Sequence, residues 1–475
     1  MAGSNSSSST SNNMEGNCSS YSSDEEDLTM GSEGSEEVEG SEGESEEGLM
    51  EENKEESEGE SEEGRTEDDS KEESEVDSEE EESEDDHIFF FLLDYLLLKK
   101  KKDTLRSGID TKIITAQEAR DLNDVQGIKW AAEKKDRTDF RRARLRRMGA
   151  KHITLMPTLV WSTSKHDVYM AGNFKIIHWS GLSSKMTDVL DTAEHVTSSE
   201  DYPGNYEIGF HQSQINTVSV RFNLLIVGGN FGQLICKRID RPDVSFCYKM
   251  SAEGDHDTGI CAIEIFKNSQ RIYSVHGLGE EHYINHFNAE TFDLLHTLQF
   301  NWPVFHSSLN PRDQQTLLVV GDNAKGRLVN CIDGEAIATL SGHSDMLYAS
   351  AWHPDGYKFA TGSVDKTCRI WDIRKTSESM DVLKGNAEAI RSLCFTADGQ
   401  YMAMGETVDF VHIYDASRFE KKQVVDFFGL VSGVSFSPDT ESLFIGVTPH
   451  TNPNNTHLLW YNRRRNFGSY EYYYY

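Results

Sequence analysis

One constellation constrains this chain more than any other. Gly342-His343 is followed by Trp371-Asp372, with twenty-eight residues from His343 to Trp371. Between them stand an apolar run with a turn, Ala351-Trp352-His353-Pro354-Asp355-Gly356, and a small-residue run, Phe359-Ala360-Thr361-Gly362-Ser363-Val364-Asp365. Pro-Asp-Gly presets a tight turn, and the alternation on either side of it is that of half-buried strands. A buried indole needs a hydrogen-bond acceptor, and buried His and Asp need partners. The spacing therefore predicts a polar clamp in which His343, Ser363 and Asp365 bond in series and reach the N–H of Trp371. These four residues read as structural rather than catalytic.

The pattern repeats. Pro354 has counterparts at Pro311, Ala397 and Pro438, each beside a polar turn: Asn310-Pro311-Arg312-Asp313, Thr396-Ala397-Asp398-Gly399 and Ser437-Pro438-Asp439. Trp371-Asp372 recurs as Tyr414-Asp415, and Gly342-His343 as Gly385-Asn386, 43 residues on in both cases. Weaker copies lie upstream, with strand pairs expected at 260–266 with 271–275, 216–220 with 224–229, and 159–161 with 167–171. A last copy runs through 433–436, 443–447 and 458–461. The order Gly-His, strand, turn, strand, Asp turn, Trp-Asp is the signature of one four-stranded blade of a WD40 β-propeller. Seven units fit between about Met156 and Asn466, roughly 45 residues each, and the weak first copy leaves six or eight open. The expected class is all-β, a seven-bladed, monomeric propeller in which ring closure removes exposed sheet edges.

Charge belongs to another part of the chain. The net charge is −35, and residues 24–86 alone carry 34 Asp or Glu against Lys54, Arg65 and Lys71. A Ser/Glu/Gly stretch so poor in apolar residues cannot offset its ordering entropy, so residues 1–112 read as a disordered acidic tail. Within it Ser23, Ser41, Ser57, Ser70, Ser74, Ser78 and Ser83 each have an acidic residue three positions on, the pattern an acidophilic kinase reads. His87–Lys102 (HIFFFLLDYLLLKKKK) interrupts the tail. Its eleven-residue apolar part is too short to span a bilayer, which takes about 20 residues. It fits a docking motif, an interfacial anchor or a gene-model artefact, and no integral membrane association is expected.

Seven scattered cysteines form no Cys-x-x-Cys pair and no zinc spacing, and no secretory signal is visible. The expected compartment is the nucleus, the cytoplasm or both. Residues 113–150 read as a helical basic segment, 151–467 as the propeller and 468–475 as a Tyr-rich tail. The basic segment ends in Arg141, Arg142, Arg144, Arg146 and Arg147. It suits packing beside the propeller, nuclear import or nucleic-acid contact. Electrostatic attraction between the acidic tail and these arginines is also expected.

Two resemblances follow. The segment Asp124–Trp130, the basic run after it and Asp409–Asp415 together resemble an uncharacterised WD-repeat family of plants and fungi, with an acidic N-terminus and a C-terminal propeller. Lys129 stands where that family has Pro. Separately, Phe359 to Arg374 (FATGSVDKTCRIWDIR) is similar to the box of WD40 substrate receptors in cullin-RING ubiquitin ligases. That resemblance implies docking through Asp372 and Arg374 on the damaged-DNA-binding-protein adaptor, and through it a cullin.

Enzymatic motifs are missing. There is no Gly-x-Ser-x-Gly elbow and no His-Glu-x-x-His. Gly321–Leu328 has phosphate-loop glycine spacing without the Lys and Ser/Thr that contact phosphate. The expected function is a non-catalytic, cofactor-free protein-interaction scaffold, with a ligase receptor as its narrower form. The competing reading is a nuclear acidic-tail adaptor for basic partners such as histones, or nucleic-acid binding through Arg141–Arg147.

Overall fold

Four turns set the frame of the ring, and each repeats the same chemistry. Asp313, Asp355, Asp398 and Asp439 each accept, through Oδ1, the amide two residues on, at 2.9, 2.7, 3.0 and 3.2 Å. Such a side chain imitates a backbone turn and reverses the strand. The residue after each Asp has positive φ: Gln314 53°, Gly356 69°, Gly399 68° and Thr440 63°. At Gly356 glycine is needed twice over, because a Cβ would stand 2.4 Å from Arg312 Cβ and 2.6 Å from Asn310 Oδ1.

The computed structural model describes residues 136–148, 158–172, 174–249, 259–266, 271–276, 282–448, 457–464 and 469–474. All of them lie in one compact unit, Glu84–Tyr475. The acidic stretch 24–86, the seven candidate phosphorylation serines named above, the block His87–Lys102 and the segment 113–135 lie outside the described residues.

Among the described residues one helix, α1 (Arg137–Met148), precedes the strands. The first sheet holds β1–β4 (Val160–Ser162, Asp167–Ala171, Lys175–Ser180, Lys185–Asp191). A two-stranded ribbon follows, β5 (His195–Val196) with β6 (Phe210–His211). The second sheet holds β7–β10 (Ile215–Arg221, Leu224–Gly229, Gln233–Arg238, Phe246–Lys249). The third holds β11–β14 (Ile260–Phe266, Arg271–His276, His282–Asn288, Leu294–Phe300). The fourth holds β15–β18 (Val304–Leu309, Thr316–Gly321, Asn323–Asn330, Ala336–Leu340). The fifth holds β19–β22 (Leu347–Trp352, Lys358–Ser363, Thr367–Asp372, Asp381–Lys384). The last is seven-stranded, β23–β29: Ile390–Phe395, Tyr401–Glu406, Val408–Asp415, Glu420–Phe436, Ser442–Thr448, His457–Arg464 and Ser469–Tyr474.

Every sheet is an antiparallel meander in chain order. In the last sheet, residues 420–430 of β26 pair with β25, and residues 430–436 pair with β27. One strand thus closes one four-stranded set and opens another. The first strands of successive sets touch in a cycle, β1–β7–β11–β15–β19–β23–β26 and back to β1. Closure is made by backbone: Leu159 N–H donates to Ser432 O at 3.1 Å, and Val218 N–H to Thr158 O at 3.1 Å. Among the described residues the protein is all-β apart from α1, and the arrangement is that of a β-propeller.

The core lies between neighbouring sheets. Leu347, Phe359 and Trp371 of the fifth sheet pack on Leu318, Val320 and Leu328 of the fourth. Cys236, Cys247, Cys261, Cys331 and Cys368 are buried thiols, and burial pushes Cys247 up to about 12. The Tyr-rich end is not a separate tail: Ser469–Tyr474 form β29, antiparallel to β28 from Ser469–Arg464 to Tyr474–Leu459. Tyr is a strand-favouring residue, which explains why a stretch with no repeat signature joins the sheet.

Candidate interaction surface

The clamp of the fifth sheet is built around a residue that the sequence pattern does not single out. Trp371 Nε1 donates to Thr361 Oγ1 at 2.9 Å, and His343 Nε2 lies 2.9 Å from the same hydroxyl. On the other side of the ring, His343 Nδ1 stands 2.8 Å from Asp365 Oδ2. The indole can only donate, so the Thr361 hydroxyl accepts there and gives its own proton to His343 Nε2. His343 Nδ1–H then donates to Asp365. Burial pushes His343 below the ordinary imidazole value, outweighing the pull of Asp365, so the ring is neutral. Ser363 joins this series only at Asp365, whose amide its oxygen accepts at 3.1 Å, and does not reach Trp371. Its hydroxyl donates to the carbonyls of Met346 (2.9 Å) and Asp345 (3.1 Å). Residues 361 and 363 point to the same face of β20, and only Thr361 faces both His343 and Trp371.

One repeat on, the clamp is remade from different residues. Glu406 takes the amides of Asn386, Ala387 and Glu388 at 2.6–2.8 Å and His412 Nε2 at 2.6 Å. Burial raises this carboxyl, but His412 and the three amides outweigh it and hold it below the usual range. Asn386 therefore contributes its backbone where His343 contributes its ring.

The box residues Asp372 and Arg374 turn towards each other. Arg374 Nε and Nη2 lie 2.8 and 2.5 Å from the two oxygens of Asp372, and its guanidinium sits 5.0 Å from the Tyr357 ring. The Arg374 bond, set against burial, holds the Asp372 carboxyl below its usual range. The fork expected to reach a partner carboxylate is already on its own carboxylate. The Arg374 side chain nevertheless keeps 67% of its surface exposed, so its outer edge still faces solvent.

The basic segment is docked. Asp136 caps α1 by accepting the Asp139 amide at 2.7 Å. Arg137 and Arg141 reach Asp426 at 2.7 and 2.5 Å, Arg141 Nε reaches Asp409 at 2.8 Å, and Arg144 also bonds Asp409. The Arg141 guanidinium lies between Phe410 and Phe428, 4.3 and 4.8 Å from the ring centroids. Arg142 points outward to Asp139. The side chains of Arg146 and Arg147 lie outside the described residues. Propeller carboxylates thus engage Arg137, Arg141 and Arg144.

A further set of residues was missed in the sequence. The innermost strands β7, β11, β15, β19 and β23 carry a register shift at their second residue, which in the last three is Phe305, Tyr348 and Arg391. A β-bulge re-aims its extra side chain, here at the end of the ring where the chain enters each innermost strand. Phe305 and Tyr348 stack with centroids 5.1 Å apart and planes 23° apart, and Arg391 lies 4.1 Å over Tyr348. All three are half-buried. Their 43-residue spacing was a readable signal, but they fall outside the turn and Trp-Asp motifs. Asp409 and the residues of β26 under α1 lie at this same end. Among the described residues no group of three or more His, Cys, Asp or Glu is placed to hold a metal, and no helix is long and apolar enough to cross a membrane.

Residues 334–372 match the family described as "WD domain, G-beta repeat". The chain is 30% identical over 109 residues to THO complex subunit 3 of Arabidopsis thaliana, covering 22% of this chain and 35% of that protein. It is 32% identical over 129 residues to Coronin-7 of Mus musculus, covering 26% and 14% of the two chains. It is 27% identical over 132 residues to WD repeat-containing protein slp1 of Schizosaccharomyces pombe, covering 27% and 26%. The chain spans about a third or less of the length of these relatives.

Proposed function

We propose that this chain, a WD-repeat protein, is a non-catalytic scaffold with seven blades that docks a protein partner on the face bearing Phe305, Tyr348 and Arg391. The carrying observation is the stack of these three side chains on successive innermost strands. Tyr and Arg in a half-desolvated cluster are the residue types that dominate interface energetics. One relative is by name a subunit of a complex, THO complex subunit 3, which accords with an assembly role. The acidic stretch before the propeller supplies a long-range field for basic partners, histones among them. In this reading the protein works in the nucleus, the cytoplasm or both. Nucleic-acid contact has less support, because Arg137, Arg141 and Arg144 are engaged by carboxylates of the ring.

The test is quantitative affinity capture with the full chain and with Phe305→Ala, Tyr348→Ala and Arg391→Ala variants that keep the wild-type melting temperature. Partners lost from all three variants support the reading, and an unchanged set of partners overturns it. The second reading is a ligase receptor, favoured by the exposed edge of Arg374. It requires the adaptor and a cullin in the wild-type eluate and their loss from Arg374→Ala.

A further inference from the structure

The ring grips the α1 arginines with groups that belong to the ring and not to the helix. Asp409, the second residue of β25, sits at positive φ (69°) where the register against β26 shifts, and its Oδ1 accepts the Gly429 amide at 3.0 Å. That leaves Oδ2 aimed at α1, where it takes both Arg141 and Arg144. The Asp409 side chain has no solvent exposure, and Phe410 and Phe428 are buried beside it. On the helix side, no described residue from Asp136 to Leu145 is fully buried. The contacts holding α1 here are made by side chains of Arg137, Phe140, Arg141 and Arg144. A rigid, pre-shaped acceptor faces a helix that brings little apolar surface of its own.

We infer that Asp409, Asp426, Phe410 and Phe428 form a binding site for an arginine of a basic peptide, and that α1 is its intramolecular occupant. The chemistry selects arginine over lysine. A planar guanidinium stacks on two aromatic faces while its N–H groups bond carboxylates in its own plane. Arg141 does this, with Nε on Asp409, Nη2 on Asp426 and a further contact to Phe427 O at 3.3 Å. A lysine ammonium is a point charge on a flexible stem and reproduces only the Coulomb part. Because α1 is tethered to the ring through residues 149–157, its local concentration is on the order of millimolar, and a peptide in trans must compete with it. Weakening α1 opens the site to that peptide. This site is separate from the Phe305–Tyr348–Arg391 stack, and its test does not depend on it.

The experiment uses the full chain and, as probe, a fluorescent peptide of residues 137–148, read by anisotropy. The triple variant Arg137→Gln, Arg141→Gln, Arg144→Gln, with its own occupant disabled, is expected to bind the probe at least tenfold tighter than wild type. A probe with every arginine replaced by lysine is expected to bind the triple variant at least tenfold more weakly. Asp409→Asn added to the triple variant should abolish binding. Asp426→Asn, at a side chain 40% exposed and so harmless to folding, should weaken it severalfold. Absence of probe binding by the triple variant overturns the inference. So does equal affinity of wild type and triple variant, or equal affinity for the arginine and lysine probes. Binding that survives both aspartate changes overturns it as well.

Discussion

Thr361→Val removes one hydroxyl from the centre of the fifth sheet and changes little else. Val keeps the shape and the β-branch, so no cavity opens and strand propensity is kept. What is lost is the acceptor for Trp371 Nε1 and the donor to His343 Nε2, each at 2.9 Å. Thr361 and Trp371 are fully buried, so water cannot replace either bond. A buried polar group left without a partner costs about 1–3 kcal/mol. The two groups share a single hydroxyl and are not independent, so the variant should lose about 2–4 kcal/mol. Ser363→Ala is the matched control. Its hydroxyl donates to two backbone carbonyls, and one of them, Met346 O, also accepts the Val364 amide at 3.0 Å. That loss should cost about 1 kcal/mol. Denaturant unfolding of the full chain measures both, and a thermal melt should show a drop of roughly 4–8 °C for Thr361→Val. Should Ser363→Ala cost as much as Thr361→Val, the relay assigned to Thr361 is wrong.

Further expectations concern titration and turns. Burial pushes Glu264 up to about 7, against the pull of Arg221 and the Leu309 amide. Its folded-state value exceeds the unfolded one, so its contribution is full below about 4.5 and is lost as pH rises towards 7. Glu264→Gln should therefore leave stability unchanged near pH 4 and raise it by about 2 kcal/mol at pH 8; equal effects at both pH values refute the assignment. Burial pushes His306 down to about 4, so the unfolded chain binds a proton that the folded one refuses. Stability should fall as pH drops from 6.5 to 4, by at most about 3 kcal/mol. His306→Gln should flatten that slope, as a denaturation series across this pH range would show. Gly356→Ala should cost about 1–3 kcal/mol, through positive φ and the 2.4 Å approach to Arg312 Cβ. A wild-type melting temperature would contradict that geometry.

How much was legible follows from how local each signal is. Strand alternation, the Asp turns and the 43-residue recurrence involve neighbours in the chain, so they placed β1, β2, β7, β8, β11, β12, β20 and β27 within a residue or two. The sequence also marked His343, Asp365 and Trp371 as a clamp, because a buried indole and imidazole demand polar company. It could not choose between Thr361 and Ser363. Period two puts both on one face, and only the position of the loop bearing His343 separates them.

What the tertiary structure alone decided is every partnership across the ring. Arg141 meets Asp409 across 268 residues of sequence, and no spacing rule links a helix before the first blade to a strand near the last. Phe305, Tyr348 and Arg391 become a stack only when three strands are brought side by side. Arg374 folds back along its own strand end because Asp372, two residues back, offers both oxygens to its fork. Local pattern determines what each segment is, since backbone geometry acts over a few residues. Charge pairing and stacking act through space, so they waited on ring closure to say which segments meet.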